Sequence, residues 1–378
     1  MKILFAGGGS GGHFYPIIAV VEAIQDIETK EHLLPSEIYF VSNAPYDAKL
    51  LFNHNVTYIE VKTGKRRGYF SLKNFSDLFV TFFAILKSLR ILFSIYPDVV
   101  FGKGGFASYP TLFAARLLNI PVMIHESDTV PGRVNLWASK FAKYIAVSYS
   151  DAVKFFPKDK TVVTGNPIRK EILMPLTQGS FKYLNLVEGI PVILILGGSQ
   201  GSQIINNVIL DALPDLLEKY QIIHQVGDLN KNEIDSRLET ILSGIPNRDR
   251  YKSYPYLNDL TLRMSAGVSD LVISRAGSTI FEIASWGRGS IVIPITESNG
   301  DHQRQNAFHY ARSGSSIVIE EQNLTPHLLV AEIDRYMTNP KMRKAMEDAA
   351  LLFGKHNATA AQSIALQLLR TSLEHNKT

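Results

Sequence analysis

Short, unbroken apolar runs alternate along the chain with longer stretches whose apolar residues recur every three or four positions. The runs predict strands of parallel sheets buried on both faces, and the longer stretches predict the helices between them. In the first half the expected strands are 3–5, 38–42, 58–61, 98–101, 122–125, 145–148 and 161–163. In the second half they are 192–196, 222–225, 271–274, 290–293 and 316–319. Residues 170–189 have little periodicity and several turn residues, which places a linker there. Residues 358–373 read as a last helix able to pack back on the first half.

Glycine-rich turns interrupt this alternation at strand ends. The strand at 3–5 runs into AGGGSGGH (6–13), with five glycines in the six positions 7–12, and a helical stretch follows. Glycines leave backbone N–H groups unshielded, and a helix start carries partial positive charge, so the turn suits a phosphate or a developing anion. GKGGFAS (102–108), GGSQGS (197–202) and RAGSTIFE (275–282) repeat the construction. A single such loop is as readily a tight turn for helix–sheet packing; four of them, divided between two halves, point to two similar α/β units. Glu282 falls one turn into its helix, where a carboxylate can accept two hydrogen bonds from a vicinal diol such as ribose. DHQRQNA (301–307) opens a further helix with side chains able to bind hydroxyls.

With 378 residues, 46% apolar and 20% charged, the chain is expected to form two globular domains. There is no cysteine, which excludes disulfides, thiolate metal sites and cysteine nucleophiles and fits a reducing compartment. The first residues enter a strand with no leader of signal-peptide type. A net charge of +4 says little about partners, but its distribution does. Between 62 and 95, seven cations (Lys62, Lys65, Arg66, Arg67, Lys73, Lys87 and Arg90) face one acid, Asp77, among many aromatics. Phe75, Leu78, Phe79, Phe82 and Leu86 share one helical face, which reads first as a helix packed on its sheet. The run 78–86 is too short to span a bilayer. The basic loop before it, with Tyr69 and Phe70, suits peripheral docking on an anionic membrane instead. That surface comprises Lys65, Arg66, Arg67, Phe70, Phe75, Phe79 and Phe82.

Gly7, Gly9 and Gly12 satisfy the dinucleotide-binding spacing, but the second strand lacks the acid that would hold a ribose. Its nearest acid is Asp47, past a proline. Taken in order, AGGGSGGH, GKGGFASYP, HESDTVPG, GNPIR, GGSQGS, RAGSTIFEIA and DHQRQNA resemble the MurG family. These bacterial enzymes add N-acetylglucosamine to the lipid-linked muramyl-peptide intermediate (lipid I) of peptidoglycan. The likeness extends from Ala6 to about Ala307.

The resemblance implies an α/β protein of two Rossmann-like domains in the type-B glycosyltransferase fold, with an interdomain cleft. It implies an acceptor- and membrane-binding domain at 1–169, a UDP-N-acetylglucosamine-binding domain at 190–355, and the last helix at 356–378. Carried over by motif, Arg169 and Ser199 would contact the donor's phosphates, Glu282 its ribose and Gln303 its sugar hydroxyls. Ser278, Thr279 and Ile280 would line the same pocket, with Leu257 near the uracil and Ser10, Gly11, Gly12 and Asp128 touching the donor. Gly9, Gly104 and Gly105 would receive the acceptor's pyrophosphate.

The reaction expected is displacement at the anomeric carbon by the 4-hydroxyl of the muramic acid. His13 is the favoured general base, with loop capping or phosphate binding as its other reading, and Glu126 and Asp128 are rivals. No metal and no cofactor are expected, since no Asp-x-Asp stands at a strand end. The expected partners are UDP-N-acetylglucosamine, lipid I and an anionic membrane at the cytoplasmic face, with no nucleic acid. Two features depart from the family's pattern. Asp128 stands where an asparagine is usual, and a carboxylate accepts hydrogen bonds where an amide also donates. The turn in RAGSTIFE is one residue shorter than the common form, which leaves the register of Ser278 and Thr279 open by one place. The alternatives are another UDP-sugar lipid glycosyltransferase, a sugar epimerase, or a catalytically silent nucleotide-sugar binding protein at the membrane.

Overall fold

The computed structural model describes residues 1–8, 10–64, 72–198, 200–296 and 299–375, with the backbone alone at 72–76 and 299. The chain forms two compact units, Met1–Arg169 with His356–Thr378, and Lys170–Lys355.

In the first unit β1 (Lys2–Ala6) leads into α1 (Gly11–Lys30), followed by β2 (Glu37–Ser42), α2 (Ala48–Asn53) and β3 (Val56–Glu60). Then come α3 (Leu72–Ile95), β4 (Val99–Gly102), α4 (Tyr109–Leu117), β5 (Val122–Glu126), α5 (Arg133–Ala138), β6 (Tyr144–Val147) and β7 (Thr161–Val163). Seven strands lie in the order β3-β2-β1-β4-β5-β6-β7, every pair parallel. The central strands are apolar at consecutive positions because helices cover both faces. Ile3 and Phe5 of β1 pack with Phe14 and Ile17 of α1 and Phe101 of β4, all fully buried.

The second unit starts with α6 (Ser180–Tyr183) and β8 (Val192–Leu196), then α7 (Gln203–Lys219), β9 (Gln221–Gln225), α8 (Lys231–Ile241) and β10 (Tyr251–Tyr254). It continues with α9 (Asp259–Val268), β11 (Leu271–Ser274), α10 (Thr279–Ser285), β12 (Ser290–Val292), α11 (His302–Arg312), β13 (Ser316–Val318), α12 (Pro326–Met337) and α13 (Pro340–Gly354). Its six parallel strands run β10-β9-β8-β11-β12-β13. The edge strand β10 has no counterpart among the expected strands. Its sequence Tyr-Lys-Ser-Tyr buries Tyr251 alone, so it lacks the run that marks the inner strands. The last helix, α14 (Asn357–His375), belongs to the first unit, where Ile364, Ala365, Leu368 and Leu369 join the core around α1.

One expectation is reversed. The apolar face of α3 is not packed on the sheet: Leu78, Phe79, Phe82, Phe83, Leu86 and Phe93 are exposed, Phe82 by 56% and Phe93 by 76%. The buried stripe is the opposite one, Ala84, Ser88 and Leu92 at four-residue spacing, and the helix packs against α4. By length and mean hydropathy, Asp77–Ile95 would suffice to cross a membrane. The exposed 78–86 run is therefore part of a longer apolar helix than its sequence boundaries suggest.

Candidate active site

Each sheet reverses its strand order beside its first strand: β1 stands between β2 and β4, and β8 between β9 and β11. Loops leaving the carboxyl ends on either side of such a reversal diverge and leave room for a ligand. Most of the candidate residues sit on these loops.

In the first unit, Ser10 caps α1 by backbone alone, and the helix's first turn holds no acidic side chain. Among the described residues no side chain caps the first N–H groups of this helix, an arrangement that suits an anion. Gly8 turns the chain at φ +132°, and a Cβ there would meet Ser42 Oγ at 2.0 Å, so only glycine fits. The same turn sets the imidazole of His13, whose Nδ1 lies 3.0 Å from the Gly8 carbonyl. A carbonyl only accepts, so Nδ1 is the donor and the neutral ring keeps its lone pair on Nε2. The ring also rests on the second glycine turn, with Cε1 3.2 Å from where a Cβ of Gly105 would lie. Gly104 and Gly105 take φ of +82° and +75°, and Gly104 backs onto the Asn135 side chain.

Behind these turns sits a buried polar cluster. Lys103, directly after β4, is 2% exposed and donates from Nζ to Ser127 Oγ at 2.9 Å. Burial pulls its ammonium down to about 8, against the attraction of Glu126 and Asp128. Glu126 is expected as a candidate base, but its carboxylate is occupied. It accepts from the backbone N–H of Asp128 at 3.0 Å, that of Gly132 at 3.0 Å and Asn135 Nδ2 at 2.9 Å. Burial, and then the neighbouring charge of Asp128, raise its pKa above the ordinary carboxylate value. The group shapes the HESDTVPG loop. Asp128 itself is half-buried at that loop's turn. His125 faces inward, Nε2 3.1 Å from the Gly165 carbonyl, and burial holds it neutral, well below the usual imidazole range. Arg169 is buried with its guanidinium 4.6 Å from the Tyr15 ring of α1, a cation–π contact that fixes it beside the first turn.

In the second unit, Gly198 at φ +95° has open space where a Cβ would stand. Its carbonyl accepts from Gln225 Nε2 at 2.9 Å, while Gln225 Oε1 accepts the Leu257 N–H at 3.1 Å. Leu257 and Ile280 are both buried, Ile280 among Ala276, Ala284, Val292, Ala307 and Tyr310. They therefore offer a ligand backbone groups rather than side chains. Ser278, Thr279 and Glu282 are half-buried at the start of α10, Ser278 making no side-chain cap. Gln303 on α11 accepts the Ile295 N–H at 3.2 Å, and Asn306, one turn on, donates to the Ala276 carbonyl at 3.2 Å.

The sequence reading passed over Arg275, which joins four loops. It donates to Ser202 Oγ at 2.6 Å and to the Ile293 carbonyl at 3.0 Å, and it pairs with Glu321. Glu321 in turn accepts from the N–H of Thr296 at 2.9 Å and its hydroxyl at 2.8 Å. Gln225 and Lys103 were likewise missed. The available signal was the same for all three: a polar or charged residue at or just after the last position of a buried strand. Gly9, Ser199, Lys65, Arg66, Arg67 and Phe70, and the side chain of Phe75, lie outside the described residues.

Two family descriptions match the chain in order: the glycosyltransferase family 28 N-terminal domain over residues 3–147 and its C-terminal domain over 192–366. A UDP-N-acetylglucosamine--N-acetylmuramyl-(pentapeptide) pyrophosphoryl-undecaprenol N-acetylglucosamine transferase from Clostridium perfringens is 35% identical over 354 residues, covering 91% of this chain and 94% of its own. A transferase of the same name, numbered 2, from Bacillus cereus is 34% identical over 346 residues, covering 91% and 93%. The crystal structure of MurG from Acinetobacter baumannii superposes with a TM-score of 0.73 at 24% identity, covering 98% of this chain and 99% of that one, and shows the fold. With both halves matched in sequence order and a third of the residues identical over nine-tenths of its length, the chain belongs to the MurG family within glycosyltransferase family 28.

Proposed function

We propose that this chain transfers N-acetylglucosamine from UDP-N-acetylglucosamine to the 4-hydroxyl of the muramic acid in undecaprenyl-pyrophosphoryl-muramyl-pentapeptide. The product is the disaccharide-bearing lipid II of peptidoglycan synthesis. The observation that carries this reading is the 35% identity over 354 residues to a transferase of that name.

The acceptor oxygen attacks the anomeric carbon, the bond from that carbon to the UDP oxygen breaks, and the diphosphate leaves with the electron pair. Configuration inverts from α to β. The acceptor's proton goes to His13 Nε2, a role supported by the Gly8 carbonyl's hold on Nδ1. Glu126 is given a positioning role because its oxygens are already bonded. Charge on the leaving diphosphate is received by Arg169, Ser199 and the N–H groups at the glycine turn before α7. Glu282 holds the ribose, Gln303 the sugar hydroxyls, and the backbone of Leu257 the uracil, with Ser278, Thr279 and Ile280 beside them. Ser10, Gly11, Gly12 and Asp128 complete the donor's surroundings, and Gly9, Gly104 and Gly105 receive the acceptor's pyrophosphate.

The chain works as a peripheral protein on the cytoplasmic face of the membrane. The exposed Phe79, Phe82, Phe83 and Phe93 of α3, with exposed Lys87 and Arg90 between them, support this reading. Lys65, Arg66, Arg67, Phe70 and Phe75 extend the same surface in sequence. The reading is tested with labelled UDP-N-acetylglucosamine and a soluble lipid I analogue. Label recovered in a β-1,4-linked disaccharide is the expected result. Label recovered only as free or epimerised sugar, or on a different lipid, would overturn it.

A further inference from the structure

Lys103 has no place in the mechanism above, yet its ammonium is buried and its burial needs a reason. An ammonium has three N–H donors, and among the described residues its acceptor is Ser127 Oγ at 2.9 Å. Ser127 stands between two acids in sequence, Glu126 and Asp128. The Glu126 carboxylate also closes back on the Asp128 N–H at 3.0 Å, so the three residues form one tight turn around the lysine's tether. The backbone N–H of Lys103 donates to the Ala6 carbonyl at 2.9 Å, which fixes the lysine at the end of the central strand. Its Cβ lies 3.1 Å from where a Cβ of Gly7 would be, directly beneath the first glycine turn.

We propose that Lys103 is a positioning residue paired with Asp128. Its ammonium tethers the turn that carries Asp128 and offsets that carboxylate's charge, so the two side chains act as one electrostatic unit in the first-unit site. The inference rests on the transferase reading and adds to it a role for the lysine of the GKGGFAS turn, which the motif reading leaves without one.

The physical argument is one of balance. Without the cation, Glu126 and Asp128 are two carboxylates on one turn, the first of them buried, and one would take up a proton. Without Asp128, the buried ammonium loses part of its compensation and is left with the attraction of Glu126. Removing both charges together avoids either imbalance. Three other titratable groups belong to the same surroundings: His13 of α1, and His125 and Glu126 of β5. Of these, His125 is neutral throughout the working range. Because burial lowers the lysine to about 8, its charge is lost within a range that turnover can report.

The test is a double-mutant cycle on the full-length protein, followed by transfer to the soluble lipid I analogue from pH 6 to 9.5. Lys103→Met is expected to lower kcat/KM for the acceptor by about tenfold or more. Adding Asp128→Asn to it should recover activity to within about threefold of Asp128→Asn alone. The wild-type profile should fall on its alkaline side near pH 8, and that limb should be absent from the double variant. Effects that simply multiply, or an alkaline limb that persists in Lys103→Met, would overturn the pairing. If Lys103→Met does not melt cooperatively, Ser127→Ala keeps the charge and cuts the tether. It should reduce turnover and move the alkaline limb, and an unmoved limb counts against the proposal. Wild-type transfer is measured first. Absent turnover rejects the transferase reading and this pairing with it, whereas turnover with uncoupled variants rejects the pairing alone.

Discussion

The side chain of Gln225 joins Gly198 to Leu257: its amide nitrogen donates to the first residue's carbonyl at 2.9 Å, and its oxygen accepts the second's N–H at 3.1 Å. Gln225 ends β9, so one amide spans the loop assigned to the diphosphate and the loop assigned to the uracil. Both bonds need the amide, since a carboxylate cannot donate and a thioether cannot donate and accepts only weakly. Gln225→Met should raise the KM for UDP-N-acetylglucosamine by about tenfold, the loss of one to two buried hydrogen bonds. The acceptor KM should stay within about twofold. Steady-state kinetics with each substrate varied in turn checks this, and equal rises in both constants would refute it.

Glu282 opens a second prediction on the donor side. It is half-buried in the first turn of α10, whose helix start lies beside the Arg275 loop. If its carboxylate accepts both ribose hydroxyls, then 2′-deoxy-UDP-N-acetylglucosamine should bind the wild type about tenfold or more weakly than the natural donor. In Glu282→Ala the two donors should bind equally, both weakly. Titration calorimetry on the two nucleotides reads this directly, and retained discrimination in the variant would remove Glu282 from the ribose.

How far these arrangements were visible beforehand depends on where each residue's partner lies. Strands such as 192–196 were legible because five consecutive buried positions allow no other reading in an alternating chain. Strand β10 was not, since an edge strand needs no apolar run. The pattern of α3 located its apolar face but not what covers it. Amphipathic spacing is the same for a face on a sheet and one left open. Glycine turns announced themselves by composition. Gln225, Arg275 and Lys103 did not, because their partners stand 18 to 73 residues away and only the sheet brings them together. Glu126 shows the converse case. A carboxylate at a strand end reads as a base until its three donors are seen.

Gly8 makes a prediction about the first turn. Alanine there must hold φ near +132° and press its Cβ against Ser42 Oγ. Gly8→Ala should destabilise the first unit by about 2 kcal/mol, the ordinary cost of such backbone strain. Pairing it with Ser42→Gly should return only the steric part, because the dihedral penalty remains. Urea unfolding followed by tryptophan fluorescence reports both changes, and full recovery in the double variant would show that strain is absent.

Buried His224 predicts an acid response in the second unit. Its Nδ1 is 2.9 Å from the Tyr251 hydroxyl, and burial lowers its pKa to about 3. The unfolded chain's imidazole titrates near 6.5, so between about 6.5 and 3 the unfolded state binds more protons than the folded one. Stability is therefore complete above pH 6.5 and falls as the pH drops toward 3, by on the order of 5 kcal/mol over the whole window. His224→Gln should flatten that decline while lowering stability at pH 7. Chemical unfolding at pH 7, 5.5 and 4.5 checks the slope, and parallel losses in both proteins would assign the acid response elsewhere.

The exposed face of α3 carries the last prediction. Phe82 and Phe83 are 56% and 64% exposed and touch edge to face at 5.7 Å, while Ala84, Ser88 and Leu92 hold the helix to its neighbours. Burying a whole phenylalanine side chain is worth about 1.5 to 3 kcal/mol, so two half-exposed rings give roughly 2 kcal/mol on entering the interface. Phe82→Ser with Phe83→Ser should therefore weaken binding to vesicles of anionic phospholipid by about thirtyfold. The melting temperature should hardly move, because neither ring supports the core. Charge reversal at Lys87 and Arg90 should weaken binding too, but that loss should shrink in high salt, whereas the aromatic loss should persist. Vesicle flotation at 50 and 500 mM salt separates the two contributions. Unchanged binding in the double serine variant would mean that this face meets something other than a membrane.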